Sequence, residues 1–371
     1  MNKTGLFFHE ECFWHSGGNY AFTLPVGGFV QPLAVGGLPE NPETKRRFKN
    51  LLDLSGLAED LQLLSSRRAS VDEILLVHTK KYIKDFIKLS ENGGGELGKQ
   101  APFGPGGFEI ASRSTGLVVM AVDAVMRGEL DNAYALSRPP GHHCLPDVPN
   151  GFCLLNNIAI AVRVAQVSKQ VKRVAIIDWD VHHGNGTEAI FYDDPNVLTI
   201  SIHQDRNYPL CTGSNLDRGR GDGLGFNLNI PLPPGSGHVV YLAAMNRLIE
   251  PSIKLFKPDI IIVACGFDAS GVDPLSRMLC GADTFREMTK AVMHLARHNC
   301  GGKVVMAHEG GYSELHVPFC GHAVLQEMSG SLIEVPDPLH ARISGQQPSN
   351  KFDEFVLNHI LEIEGQIFGG Q

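Results

Sequence analysis

The stretch "AIIDWDVHHGNGTEAIF", residues 175–191, decides how the rest of this chain reads. It starts as an apolar run and ends in acids and imidazoles. From Asp178 onward polar side chains alternate with Trp179 and Val181, so Asp178, Asp180 and His182 share one face of an extended chain. A folded protein rarely gathers two carboxylates and an imidazole at a half-buried strand end unless something cationic holds them. The stretch therefore implies a strand that leads into a site, and a site that calls for positive charge.

Working outward, similar apolar runs recur at 132–136, 173–178, 197–203, 226–230, 259–266 and 303–311, with a further one, "EILLVH", at 73–78. Several are near-continuous, as strands buried on both faces are. Between them lie helical patterns over roughly 43–64, 79–90, 107–127, 153–169, 238–256, 283–298 and 353–363. This alternation predicts an α/β fold with a mainly parallel sheet flanked by helices. No long polar linker divides residues 1–371, so they read as a single domain. The Gly/Pro-rich patches at 17–42 and 93–107 read as ordered loops, candidates for a rim or a homo-oligomer interface. The segment 345–371 reads as a peripheral helix with a short frayed tail.

Composition narrows the function. A hydrophobic content of 43% and a charged content of 19% over 371 residues describe a globular chain with a sizeable core. A net charge of -8, with no basic run longer than "TKRRF" at 44–48, argues against a nucleic-acid partner. No apolar run is long enough to span a membrane, and acids interrupt the N-terminal segment where a signal peptide would be apolar. None of the eight cysteines stands in CxxC spacing, which disfavours a zinc knuckle and points to a reducing compartment. The expectation is a soluble, cytoplasmic protein. There is no internal repeat.

In open parallel sheets, ligands bind at the carboxyl ends of the strands. The unusual residues fall there: "SRPPGHHCLPD", "DWDVHHGNGT", His203, "GFDASGVDP" and "HEGGY". Asp180, His182 and Asp268 form a candidate three-ligand metal site, suited to zinc and, as second choice, iron(II). Asp268 reads equally well as the cap of the turn "DASGVD". Such a metal would activate water and polarise a carbonyl. His142 and His143 supply acid/base groups, each needing a partner on its far nitrogen; Asp178 and Asn185 are the candidates. Tyr312, in a glycine-flanked turn, can bring a phenol to an oxyanion.

The segments "RPPGHH", "GFCLLNN", "DWDVHHGNGT", "GFDASGVDP" and "EGGYS", in that order, resemble the class II zinc-dependent deacetylases, in particular the bacterial histone deacetylase-like amidohydrolases. The resemblance covers most of the chain from about 130 to 315, with the catalytic motifs at 138–312. It implies the arginase–deacetylase fold, a single α/β domain around a parallel eight-stranded sheet. It implies zinc on Asp180, His182 and Asp268, with His143 as principal base and acid and His142 as its electrostatic neighbour. Asp178 would pair with His142. Asn185 would pair with His143, where class I relatives carry aspartate. Tyr312 matches the catalytic tyrosine. Gly151, Phe152 and Tyr208 match the walls of an acyl-lysine tunnel, Tyr208 replacing the more usual phenylalanine, and Gly310 joins the substrate side. Potassium is implied beneath the zinc at Asp178, Asp180, His182 and Ser201, and a second ion at carbonyls around Phe191, Asp194, Val197 and Phe226.

The resemblance makes the chain an amidohydrolase that deacylates N-ε-acyl-lysine in a protein or peptide. The alternative is an acetylpolyamine amidohydrolase. Polyamine-selective vertebrate relatives carry a glutamate where this chain has Leu275, and an apolar residue attracts no second ammonium. An inert acyl-lysine binding module and a two-manganese arginase-like hydrolase fit less well. The other residues have plainer readings. His183, His203 and Asp273 are read as structural, Phe7, Phe13 and Trp14 as core or rim packing, and His15 as a possible rim residue.

Overall fold

The structure, a computed structural model, describes residues 1–18, 20–31 and 37–369. Part of the 17–42 loop and the last two residues of the C-terminal tail therefore lie outside the described residues. Eight strands form one parallel sheet: β1 Thr4–Phe7, β2 Gln62–Leu64, β3 Asn132–Ala135, β4 Val174–Asp178, β5 Val197–Gln204, β6 Asn227–Leu232, β7 Ile260–Cys265 and β8 Val304–His308. Their order across the sheet is β6-β5-β4-β7-β8-β3-β1-β2. Both faces are covered, and the pleat divides the core in two. Ala175, Ile177, Ile261, Val263 and Met306 pack into one cluster, while Val174, Ile176, Ile260, Ile262 and Val305 pack into the other. That is why these strands read as continuous apolar runs.

The sheet order places the site. From β4 the chain steps outward to β5, whereas from β7 it steps the other way to β8. The loops after β4 and β7 part at this switch and leave a crevice at the carboxyl ends of the two strands. Residues 179–184 follow β4 and residues 266–274 follow β7, so the two candidate ligand loops flank one crevice.

Several sequence expectations need correction. "EILLVH" is not a strand. Ser70 accepts from Glu73 N while the Glu73 side chain accepts from Ser70 N, a capping box that starts a short helix at Val71–Ile74. Two strands of this sheet, β1 and β2, have no counterpart among the expected strands, because four and three residues carry little periodic signal. The helix expected over 43–64 stops at Ser55 in a left-handed cap at Gly56, and the chain then turns into β2. The helix expected from 153 starts at Asn157, where the Asn156 side chain accepts from Ala159 N. Residues 150–155 are freed to build a pocket wall. Helices at Asn185–Phe191, Val317–Ser329 and His340–Gly345 were also unread.

The C-terminal helix Asn350–Phe368 buries Val356, Ile360 and Ile363 against the main core. His359 Nε2 donates to Pro231 O over 3.1 Å, and Arg247 pairs with Glu364 at 2.7 Å. No helix among the described residues is long and apolar enough to cross a membrane.

Candidate active site

The turn after β4 is built from its own carboxylates. Asp178 Oδ1 accepts from Asp180 N at 3.1 Å, and Asp180 Oδ1 accepts from His182 N at 2.9 Å. Each acid thus fixes the backbone two residues on, which keeps 178, 180 and 182 facing one way. The loop after β7 joins them: Asp268 Oδ1 accepts from Val181 N at 2.8 Å. The loop after β8 closes the back, where Gly310 N donates to Asp180 Oδ2 at 2.7 Å. A Cβ at Gly310 would lie 2.2 Å from Asp268 Oδ2 and 2.5 Å from Asp180 Oδ2, so only glycine lets the backbone approach the acids this closely. Gly310 therefore supports the acids from behind, a role that the sequence reading did not assign to it.

Asp180, His182 and Asp268 converge. His182 Nδ1 lies 3.0 Å from Asp180 Oδ1 and 3.0 Å from Asp268 Oδ2. All three residues are buried, and the only donor near Asp268 Oδ2 among the described residues is His182 Nδ1, which is not aligned to donate to it. An orphaned buried carboxylate oxygen is costly. Burial lowers the His182 pKa, but Asp268 and Asp180 overcome that and raise it to about 10. The donor set therefore fits a metal cation: two carboxylates and one imidazole, pre-arranged and short of positive charge.

The tandem histidines stand beside this set, their ring centroids 3.9 Å apart. His142 Nδ1–H donates to Asp178 Oδ2 over 2.9 Å, and His143 Nδ1–H donates to Asn185 Oδ1 over 2.8 Å. Their environments drive them apart. Burial works against a charged His142, but Asp180 and Asp178 outweigh it and raise the pKa well above the usual value. Burial lowers His143 far below the usual value, and the neighbouring His142 and His182 push it further. An amide acceptor supplies no negative charge to offset this.

A cavity of about 460 Å³ opens over these residues. Gly151, Phe152, Tyr208, Leu275 and Tyr312 form its walls, and His143 and His182 its floor. Gly151 has φ +48, and a Cβ there would sit 2.5 Å from His143 Cδ2 and 2.7 Å from Tyr208 Cε1. The wall turn is pinned by Gly151 N to Lys99 O and Phe152 N to Gln100 O, at 3.0 and 2.7 Å. The Tyr208 hydroxyl donates to Asn150 Oδ1, which gives the extra wall hydroxyl a partner. Tyr312 packs edge-on to Phe152 and His182, and its N–H donates to Asp273 Oδ2 at 2.7 Å. Burial, then Asp268 and Asp180, raise the Tyr312 pKa well above the ordinary phenol value, so the phenol keeps its proton.

The expected potassium residues are also neighbours. Asp178 and Ser201 are paired across β4 and β5, and the Ser201 hydroxyl bonds His203 Nδ1 at 2.9 Å. Phe191 O accepts from Asp194 N, Asp194 O from Val197 N, and Phe226 O from Thr199 N, which draws the second set together. His183 bonds Thr212 and Glu188, as a structural residue would. His15 is buried and not at the rim, and its carbonyl accepts from Arg138. Phe7 and Phe13 are core residues, whereas Trp14 is 75% exposed.

The sequence reading gave Glu309 no role. Its Oε2 accepts from Gly141 N at 2.7 Å and His142 N at 3.1 Å, so it fixes the backbone that carries both histidines. His78, inside the misread "EILLVH", accepts from Asn156 N at 3.0 Å and so holds the other end of the pocket wall. Only the motif "HEGGY" hinted at Glu309, and nothing local pointed to His78.

Residues 38–328 match the histone deacetylase domain family. A histone deacetylase-like amidohydrolase of Pseudomonas aeruginosa is 52% identical over 364 residues, 98% of this chain and 96% of that protein. A probable deacetylase of Archaeoglobus fulgidus is 35% identical, covering 88% of this chain and 86% of the relative. The solved structure of the HDA15 HD domain superposes with a TM-score of 0.83 at 28% identity, covering 100% of this chain and 96% of that one.

Proposed function

The chain belongs to the histone deacetylase family, and on that premise we propose that it hydrolyses the amide of N-ε-acyl-lysine side chains, in proteins or peptides, at a zinc centre held by Asp180, His182 and Asp268. One observation carries the reading. At the closed end of the cavity, donors short of positive charge meet an imidazole with a free outer nitrogen and a buried, protonated phenol. Two carboxylates and one imidazole suit zinc, with iron(II) as runner-up, and the bound ion supplies Lewis acidity to the amide carbonyl and lowers the pKa of water.

The chain's own residues do the rest. His143 commits Nδ1–H to Asn185, so Nε2 carries the lone pair. It takes a proton from the attacking water and gives it to the leaving nitrogen. The C–N bond breaks, the water oxygen stays on the acyl carbon, and the amine departs. His142, oriented by Asp178, places charge beside the reacting atoms. Tyr312 donates to the oxygen that gains negative charge. Gly151, Phe152 and Tyr208 hold the aliphatic stem, and Leu275 closes the wall with an apolar surface.

Potassium is proposed as a structural ion beneath the metal at Asp178, Asp180, His182 and Ser201, with a second at the carbonyls of Phe191, Asp194, Val197 and Phe226. The eight cysteines are all unpaired thiols, which supports residence in a reducing compartment such as the cytoplasm.

Turnover of an acetyl-lysine peptide and of an acetylated spermidine by one zinc-loaded preparation tests the reading. Preference for the peptide is the expected result. Preference for the polyamine replaces the reading with that of an acetylpolyamine amidohydrolase. Silence on both, with zinc confirmed bound, overturns it.

A further inference from the structure

Acylation removes the charge from a lysine side chain, so the part of the substrate inside the pocket is neutral. Electrostatic discrimination must then come from groups that stay outside, at the mouth. Among the described residues that line the cavity, Arg277 alone carries a permanent charge, and it is exposed. Beside it stand neutral residues, among them Gln100, Asn207, Leu210 and Leu275.

The guanidinium is displayed from a fixed base. Arg277 N donates to Gln204 Oε1 at 2.7 Å, and Arg277 O accepts from Gly235 N at 2.7 Å. Nη1 turns back onto its own loop, donating to Ser276 O at 2.5 Å and Pro274 O at 3.5 Å. No carboxylate among the described residues pairs with it. Asp205, next to Gln204, lies 3.8 Å from Arg206, and two further acids are engaged elsewhere. Asp273 accepts from Leu275 N at 2.9 Å and Tyr312 N at 2.7 Å. Glu96 accepts from the Tyr20 hydroxyl and from Ala101 N, each at 3.0 Å. A guanidinium with donors to spare is matched to a carboxylate and repels an ammonium.

We propose that Arg277 selects substrates by charge at the pocket mouth: acyl-lysines flanked by carboxylates in an acidic peptide are preferred, and substrates that present a second ammonium there are disfavoured. This rests on the acyl-lysine reading and deepens it. Charge complementarity at a rim acts mainly on encounter and on KM, and salt weakens it.

The test uses three acetyl-lysine peptides of equal length with Asp, Ala or Lys beside the acetyl-lysine, assayed on the zinc-loaded full chain. At about 50 mM salt the Asp peptide should exceed the Lys peptide about fivefold in kcat/KM, chiefly through KM, and the ratio should shrink at about 500 mM. Arg277→Lys should keep the preference, Arg277→Gln should bring the ratio to within about twofold, and Arg277→Glu should invert it. Equal turnover of all three peptides by the wild type, or an unchanged ratio in Arg277→Gln, overturns the inference and leaves acyl-lysine hydrolysis standing. Silence on all three overturns both.

Discussion

Two clusters of buried charge lie close together in this molecule, and they are composed differently. In the first, Glu40 Oε1 accepts from Lys45 Nζ at 3.1 Å and from Arg138 Nε at 2.9 Å, and all three side chains are at most 1% exposed. Arg138 Nη1 also donates to the carbonyls of Cys12 and His15, both at 3.0 Å. Burial alone would raise the Glu40 pKa, but Arg138 and Lys45 hold it at about 2. In the second cluster, Asp178, Asp180, Asp268 and Glu309 gather with imidazoles, and no lysine or arginine among the described residues pairs with them. Burial raises Asp268, with Asp180 adding to it, and burial lifts Glu309 to about 7. The first cluster holds two cations to one carboxylate, so its acid is more than compensated. The second is in deficit, as a site awaiting a cation is.

The comparison can be broken or sharpened by experiment, starting with the largest expected effect. His143→Ala should lower kcat by about 10²–10⁴-fold, and Tyr312→Phe by about 10²–10³-fold, in steady-state hydrolysis of an acetyl-lysine peptide. Losses under tenfold in both would mean that the second cluster does no chemistry through these groups. Asp268→Asn removes charge from the cluster in deficit, so elemental analysis should find the zinc content of the purified protein sharply reduced. Wild-type zinc content in that variant would remove Asp268 from the ligand set.

Stability separates the clusters next. Glu40→Gln leaves Lys45 and Arg138 buried without their carboxylate and should cost about 3–5 kcal/mol in denaturant unfolding. Because the folded-state pKa of Glu40 is depressed, its contribution is fully present above the unfolded value near 4.5 and is lost as pH falls through about 2. The stability gap between wild type and Glu40→Gln should therefore narrow as pH falls between those values. A gap that stays constant would show that Glu40 is not held ionised. Tyr208→Phe should have the smallest effect, about 1 kcal/mol or less in thermal unfolding, because it deletes one half-buried hydrogen bond to Asn150. A much larger loss would make the pocket wall as tightly coupled as its floor.

Much of the second cluster was legible because its signals are local. The spacing of two from Asp178 to His182 is plain in the sequence, although β4 ends at Asp178 and hydrogen bonds of the turn, not a strand, keep the three facing one way. The motifs around His143, Asp268 and Tyr312 stand next to apolar runs. The first cluster was not legible. Glu40 and Arg138 are 98 residues apart, and "SRPP" reads like any loop arginine. The burial of His15 is not legible in the sequence, because burial by distant segments leaves no mark on its neighbours in the chain. Arg277 and Asn150 leave no mark in the sequence either, because a residue at a pocket mouth carries no periodicity.

By itself the sequence determined the alternation of strands and helices, the donor types at the strand ends and the family motifs, because propensity, spacing and chemical identity are properties of short segments. Tertiary structure alone decided that β4 and β7 lie side by side, so that Asp268 Oδ1 accepts from Val181 N 87 positions away and its other oxygen is left without an aligned donor. It also decided that three- and four-residue strands complete the sheet, that "EILLVH" begins in a capped helix, and which buried acids received a cationic partner. Those outcomes depend on pairing and burial between distant segments, where the packing of two sheet faces selects among arrangements that local sequence leaves equal.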